Sequence, residues 1–480
     1  MIHANSRVAA VLLAVFVAAC GDSITVDEPP LAVVTSVTVD ATQGPIDRRL
    51  SLTLNQPQAI EVDYWSAGTP VLRVTSAEVA LTHTVFLPRL RANAQYDYAV
   101  RAVDGLRGGE PLAGQFATDS LPLEWRGLQF DVIGAATFPL TFVEVRGNPV
   151  GHVIVDQDGE IVWYWQGQGR VGGGFARLNN GNFVFSDDND LVVVTPAGQE
   201  VARMRKTEDM GQQTYQGNHH DMVVTPSNTV LFLAYDDVVV DNVTWTGEAV
   251  WEWDVETDVL TKRWSASDFL DPDVDVGPWS YEEDWLHANS LSIGPRGNVL
   301  LSLFWLDQVI SIAPDYASLE RRLGGPGSTI TVDAGVMLGG QHTATEIGQD
   351  RVLLFDNGRN NPEGPVRGTP FSRGVEIALD RGSGTATIAW EFRPNPNIFA
   401  PIVSSAQRLE NGNTVVSFGV SEGVPPEGRG LGVGTGPIAG YEVTVAGRTV
   451  WYMRVDGTPA VYRMTPLYDV AGEVAVGVTY

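Results

Sequence analysis

Short runs of alternating apolar and polar residues, cut by Gly, Asn, Asp and Pro, fill most of this chain, and no long amphipathic helical pattern interrupts them. From about Leu121 a turn-plus-strand unit recurs. Its clearest copies begin at Gly159 (Glu-Ile-Val-Trp-Tyr-Trp), Gly198, Gly247 (Glu-Ala-Val-Trp-Glu-Trp) and Gly447, with weaker ones at Ala317 and Gly384. A second unit lies between them, at Asn180-Gly181-Asn182, Arg296-Gly297-Asn298 and Asn411-Gly412-Asn413, each followed by a hydrophobic strand. Six copies at spacings of roughly 40–70 residues predict six four-stranded blades around a channel. In such a blade the innermost strand comes first, the Asn-Gly-Asn unit forms the second strand and the Glu-Val-Trp unit the outermost. The inserts Asp268 to Glu283 and Asn357 to Thr369 are rich in Pro, Gly and Asp and read as loops.

Residues 36–118 carry a different rhythm, with period-two runs at Ser36–Asp40, Ala59–Tyr64, Thr82–Leu87 and Tyr96–Val103. They predict a small β-sandwich acting as a spacer or docking module. Leu87-Pro88 followed by Tyr96, Tyr98 and Val100 looks like the corner and late strand of a fibronectin III or Ig-like domain, and His83 reads as a surface strand residue. The expected fold is therefore all-β: a six-bladed β-propeller over 119–480 preceded by this sandwich.

Three histidines stand at the head of three successive propeller repeats: His220, His287 and His342, each shortly before a turn and a hydrophobic strand. A ring of blades would gather them at one mouth of the channel. The chain has only seven histidines, so the coincidence asks for a reason. Imidazole is both nucleophile and acid/base near neutral pH. Three imidazoles also suit Zn²⁺, with Asp221 as ligand or orienter, or a network stapling blades together.

A net charge of −27, with no basic block, disfavours nucleic acid and bare anionic membrane. At the N-terminus Arg7 precedes an apolar run from Val8 to Ala19, which predicts a signal peptide over 1–19. Val17-Ala18-Ala19-Cys20 resembles a bacterial lipobox, so Cys20, the sole cysteine, is expected to be the lipidation site, with 20–35 as a tether. The expected product is exported and lipid-anchored in the cell envelope, in the periplasm or at the outer membrane as Gly21 suggests, with membrane contact through the lipid alone.

His219-His220-Asp221, Asp284-Trp285-Leu286-His287-Ala288-Asn289-Ser290, Gly340-Gln341-His342 and Leu354-Phe355-Asp356-Asn357-Gly358 together resemble the bacterial aryl-sulfate sulfotransferases. Phe371-Ser372-Arg373 and Gln407-Arg408-Leu409 with Asn411 to Thr414 fit the same pattern, and the match covers roughly 121–480. The resemblance implies a propeller enzyme using no nucleotide sulfate and no cofactor or metal. It moves a sulfuryl group from a phenolic sulfate to a phenolic acceptor through a sulfohistidine. His342 matches the nucleophile; His287 and His220 match the histidines that bind sulfuryl oxygens and handle the phenol proton. His219, Asn289 and Arg373 are expected to bind substrate, and a homodimer is allowed.

The chemistry also follows from the residues. Sulfuryl transfer, like phosphoryl transfer, has a loose transition state with charge on the equatorial oxygens. Neighbouring histidines that are protonated, or donate through N–H, stabilise that charge and keep His342 unprotonated. Trp279, Tyr281 and Trp285 are candidates to stack on an aryl ring or to pack the loop. One departure stands out: Phe304 occupies the place of a family arginine that binds the sulfuryl group. Losing that cation is expected to cost about 3 kcal/mol of transition-state stabilisation, unless Arg373 or Arg359 reaches in. The alternative is a non-catalytic ligand-binding propeller lipoprotein, with a metal-dependent hydrolase third.

Overall fold

A computed structural model describes residues 30–105, 107–169, 173–205, 217–336, 338–359, 371–420, 422 and 433–476. The expected signal peptide, Cys20, the tether up to residue 29 and residues 360–369 of the long insert lie outside the described residues.

Six small sheets form a ring, a six-bladed β-propeller. The second blade illustrates the local logic, with strands Asn218–Val224, Val230–Val240, Val243–Asp254 and Val259–Ser265 running outward from the channel. Its second strand opens Val-Leu-Phe-Leu-Ala, apolar on both faces, because a blade is covered on both sides. Leu231 and Leu233 pack with Leu291, Leu301 and Ile310 of the third blade; Val230, Phe232 and Ala234 pack with Val184 and Leu191 of the first. Each such buried side chain contributes about 1.5–3 kcal/mol. The innermost strands of the first five blades are Phe175–Arg177, Asn218–Val224, Ala288–Ile293, His342–Gly348 and Ser405–Arg408.

The sixth blade departs from the expected order, because its innermost strand, Ala460–Leu467, comes last in sequence. It pairs with Leu140–Arg146, followed outward by Gly151–Asp156 and Ile161–Gln166. Gln129–Gly134 adds a fifth strand to the outside of the fifth blade, against Thr449–Asp456. The ring is thus closed twice, which removes the free sheet edge a linear repeat would leave. A second departure concerns the Gly247 unit, which forms the third strand of its blade and not the outermost. A two-residue turn at Asp241-Asn242, both with positive φ (49° and 65°), joins two long strands and leaves Val259–Ser265 as the edge.

In the N-terminal domain the 19-residue strand Arg48–Ser66 organises one sheet. Its first half pairs with Val34–Ala41, its second with Gln95–Asp104, and Leu72–Leu87 follows its other edge. Leu50, Leu52, Ile60, Val62, Tyr64 and Val100 form the core. His83 is not at the surface: it is 5% exposed, with its ring nitrogens on Gln58 O (2.8 Å) and Ser76 Oγ (3.2 Å). The register break opposite Gln58 frees that carbonyl for the ring. The end of the described chain returns to this domain, for Val474–Ala475 pairs with Leu72–Leu87. Arg91 ties the domains together through Asp156 and Asp158. Among the described residues no helix is long and apolar enough to cross a membrane.

Candidate active site

In the second, third and fourth blades the strand register slips beside the first residues of the innermost strand: between His219 and Met222, Ala288 and Ser290, and His342 and Thr345. Left-handed backbone accompanies each slip, at His220 (φ 59°), His287 (φ 50°) and Thr343 (φ 51°). Non-glycine residues in this region cost about 1–3 kcal/mol each, and bulges of this kind re-aim side chains beside functional sites. The three histidines therefore do not share one backbone position. His220 and His287 carry the left-handed φ, whereas His342 lies one residue ahead of it, where the second blade has His219.

The bulges bring the rings together. The His220 and His287 centroids are 4.6 Å apart. The Phe304 ring lies between His287 (5.3 Å) and His342 (5.2 Å). Tyr462, from the closing strand, faces His220 at 6.1 Å and His342 at 6.3 Å. Its hydroxyl donates to Asn289 O at 3.2 Å.

Each histidine is held from behind. Asn357 spends both amide hydrogens on the carbonyls of Ala400 (2.7 Å) and Val403 (3.1 Å), so its Oδ1 accepts from His342 Nδ1–H at 2.8 Å. The remaining nitrogen of His342, Nε2, keeps its lone pair. His287 Nδ1–H donates to Asp284 Oδ2 at 2.7 Å, and Trp305 Nε1–H donates to the same oxygen at 2.7 Å. Burial pushes the Asp284 carboxyl up, but His287 and the two donors outweigh it and hold it below the usual range. His220 and His219 meet Nδ1 to Nδ1 at 2.8 Å. His219 stacks on Tyr235 (4.1 Å), and its Nε2 lies 2.8 Å from Glu248 Oε2, off the line of an ideal hydrogen bond. Glu248 Oε1 accepts the N–H of Ala288, the residue after His287, at 2.7 Å.

Burial keeps His342 and His220 neutral. It depresses His342 to about 3, helped by His287 and Arg463 against the Asn357 bond. Burial also drives His220 well below the ordinary imidazole range, with His287, His219 and Arg146 adding to it. His220 thus acts as a neutral N–H donor or lone-pair acceptor, not as the imidazolium considered above, because the site is too dry to carry that charge.

Besides Arg463, two cations stand close by. The Arg359 guanidinium covers the Phe304 ring at 3.9 Å and donates to Phe304 O at 3.0 Å. Burial lowers it to about 10 against the pull of Asp307 and Asp356. Gly340 (φ 69°) makes its seat, since a Cβ there would fall 2.2 Å from Arg359 Nε. Arg146 lies 4.5 Å over the Tyr462 ring. Phe304, Trp305, Trp279 and Tyr281 form one aromatic cluster beside His287.

The structure brings His219, His220, His287 and His342 together. Asn289 borders them, but its Nδ2 donates to Gln341 O at 2.8 Å, joining the third blade to the fourth. Arg373 stands apart, its donors committed to Asp356 Oδ2 (2.9 Å), Glu391 Oε2 (2.5 Å) and Gly335 O (2.9 Å). Trp285 is fully buried, with Nε1 on Asp275 O, which removes it from any ring-stacking role; Trp279 and Tyr281 remain at the mouth. Asp221 accepts both Arg463 Nη1 (2.9 Å) and Nη2 (3.1 Å), and also the Leu291 N–H (2.9 Å), linking three blades. Among the described residues no group of three or more His, Cys, Asp or Glu is arranged to hold a metal ion. Sequence reasoning missed Glu248, Tyr462 and Arg146. Of these only Glu248 left a trace, as the polar residue of the Gly247 strand unit.

Among solved structures, a Bacteroides caccae protein of unknown function is 16% identical, covering 69% of this chain and 100% of its own, with a TM-score of 0.43. Staphylococcus aureus virginiamycin B lyase is 9% identical, covering 69% of this chain and 99% of its own, with a TM-score of 0.34. No curated protein matches. Residues 137–430 match the family model for arylsulfotransferase (ASST), a span that holds all four clustered histidines together with Asn357 and Asp284, and the chain belongs to that family.

Proposed function

We propose that this protein moves a sulfuryl group between phenols, with His342 Nε2 as the nucleophile and no nucleotide donor. The observation that carries the reading is the Asn357 clamp: it assigns the His342 proton to Nδ1 and leaves a neutral lone pair on Nε2. In the first half-reaction Nε2 forms a bond to sulfur as the bond from sulfur to the aryl oxygen breaks. The departing oxygen takes a proton from the cluster. In the second, an acceptor phenol gives a proton back, its oxygen bonds to sulfur and the N–S electron pair returns to Nε2. His287, braced by Asp284, and His220 bind the sulfuryl oxygens and handle that proton. The Phe304 cluster supplies an apolar wall for the aryl ring, and Arg146, Arg359 and Arg463 are cations beside the cluster.

The test is release of 4-nitrophenol from its sulfate ester with phenol as acceptor. Acceptor-dependent release that disappears in His342→Ala supports the reading. Phe304 packed between His287 and His342 favours a second one, a propeller that binds ligand without turnover. Folded protein inert towards a panel of aryl sulfates would select it. We further propose export and lipid anchoring at Cys20. Incorporation of labelled palmitate that is lost in Cys20→Ser checks this.

A further inference from the structure

His220 begins a chain of close polar contacts that leads away from the channel. Its Nδ1 meets His219 Nδ1 at 2.8 Å, and His219 Nε2 lies 2.8 Å from Glu248 Oε2. Glu248 and His219 are 1% and 4% exposed. Glu248 is oriented by the Ala288 N–H on its other oxygen, and His219 by the face of Tyr235. Two imidazoles joined Nδ1 to Nδ1 share one proton. Its owner is decided at the far end, because a ring that donates from Nε2 to a carboxylate has only a lone pair left at Nδ1.

We propose that Glu248 is the proton store for the transferred phenol, connected through His219 to His220 Nε2. This rests on the sulfuryl-transfer reading above and gives His220 the proton, leaving His287 to the sulfuryl oxygens. With the Glu248 carboxylate ionised, His219 carries Nε2–H, His220 carries Nδ1–H, and His220 Nε2 is a base. When an acceptor phenol surrenders its proton to that Nε2, the Nδ1 proton of His220 passes to His219 Nδ1 and the Nε2 proton of His219 passes to Glu248 Oε2. Both rings end neutral with tautomers exchanged, and the charge change falls on Glu248. The reverse passage gives His220 Nε2–H as the acid for a departing aryl oxygen. Burial drives His220 well below the ordinary imidazole range, and a relay of this kind exchanges its protons without making it a cation.

Glu248→Gln tests the relay without altering its shape. The glutamine carbonyl keeps the Ala288 N–H and its amide turns to His219, which fixes His219 as Nδ1–H and His220 as Nε2–H. In folded protein labelled with ¹⁵N-histidine, the His220 Nε2 signal, assigned with His220→Gln, is expected to be pyrrole-like in the parent while Glu248 holds the proton, to turn pyridine-like as rising pH removes it, and to stay pyrrole-like throughout in Glu248→Gln. A parent signal that, like that of the variant, does not change with pH would overturn the proposal whether or not transfer is observed. With activity in hand, Glu248→Gln is expected to retain sulfo-enzyme formation from 4-nitrophenyl sulfate and to lose it steeply, by about 10²–10⁴-fold, with sulfates of more basic phenols that need an acid. Equal losses across the series would mean a merely structural glutamate. If Glu248→Gln does not fold, His219→Phe keeps the stack on Tyr235 and is read by the same leaving-group series.

Discussion

On the proposed reading, Asn357→Ala is the substitution that separates the orientation of His342 as nucleophile from everything else in the site. Asn357 is fully buried and all its polar atoms are engaged. Truncation leaves His342 Nδ1–H without its acceptor and Val403 O without its donor, whereas Ala400 O keeps Ser372 Oγ at 3.3 Å. One buried N–H and one buried carbonyl left unmade cost roughly 2–4 kcal/mol of stability together. The catalytic loss is separate. Once the Nδ1 proton is free to move to Nε2, the ring presents N–H where the lone pair was needed. Loss of one preorganised hydrogen bond or of the correct tautomer lowers turnover by about 10²–10⁴-fold.

The assay is the pre-steady-state burst of 4-nitrophenol on forming sulfo-enzyme, normalised to folded protein by urea titration. Asn357→Asp is its control. A carboxylate still accepts the Nδ1–H and raises the imidazole by roughly 1–3 pH units. Starting from about 3, His342 stays mainly neutral at pH 8. That variant should lose stability, having no hydrogens for Ala400 O and Val403 O, yet keep more burst rate per folded molecule than the alanine form. An Asn357→Ala burst within about threefold of the parent (about 0.6 kcal/mol) would refute the tautomer argument.

Further outcomes follow from the same geometry. Phe304→Arg sets a second cation against Arg359, now 3.9 Å over the ring; it should destabilise by about 3 kcal/mol in denaturant titration, and Arg359→Gln should relieve most of this. Arg463→Met strands Asp221 among buried groups and should cost about 3–5 kcal/mol, with Asp221→Asn in the same chain restoring part of it in a double-mutant cycle. Acid should weaken the fold between pH 6.5 and 3. His152 and His342 stay neutral down to about 3 when folded but protonate near 6.5 when unfolded, so the unfolded chain binds more protons across that window. Each buried histidine then removes up to about 1.4 kcal/mol per pH unit. His152→Phe should flatten the slope measurably relative to the parent at pH 5, and an unchanged slope would contradict the burial argument.

What the sequence disclosed and what it withheld divide along physical lines. Turn chemistry is local, so the Asn-Gly-Asn units marked the heads of second strands correctly at Phe183, Val299 and Thr414. The Asp241-Asn242 turn was equally readable, and overlooking it displaced the Gly247 unit by one strand. Closure of the ring was illegible, because the partner of Leu140–Arg146 lies at the other end of the chain and nothing local in Ala460–Leu467 marks it as innermost. In the site, the histidines were legible because they recur. Their supports were not: Asn357 and Asp284 were visible as motif letters without a role, and Glu248 reaches His219 only because a neighbouring strand carries it there. Arg373 misled for the opposite reason. Its Ser-Arg motif is present, but acidic partners close in space consume the guanidinium.

The double closure of the ring has a consequence for how the chain comes to life. Thr458 Oγ1 donates to Arg146 O at 2.6 Å across 312 residues of sequence, and Tyr462 and Arg463 follow directly after. During synthesis from the N-terminus, five blades can gather while the channel mouth still lacks Tyr462 and the Asp221 ion pair, and Leu140–Arg146 stays open along its inner side. Pairing so distant in sequence is slow to find, so the interval is long. A chain interrupted between residues 343 and 459 holds every histidine of the cluster and no finished mouth. The channel mouth in this fold therefore waits for Ala460–Leu467 to arrive.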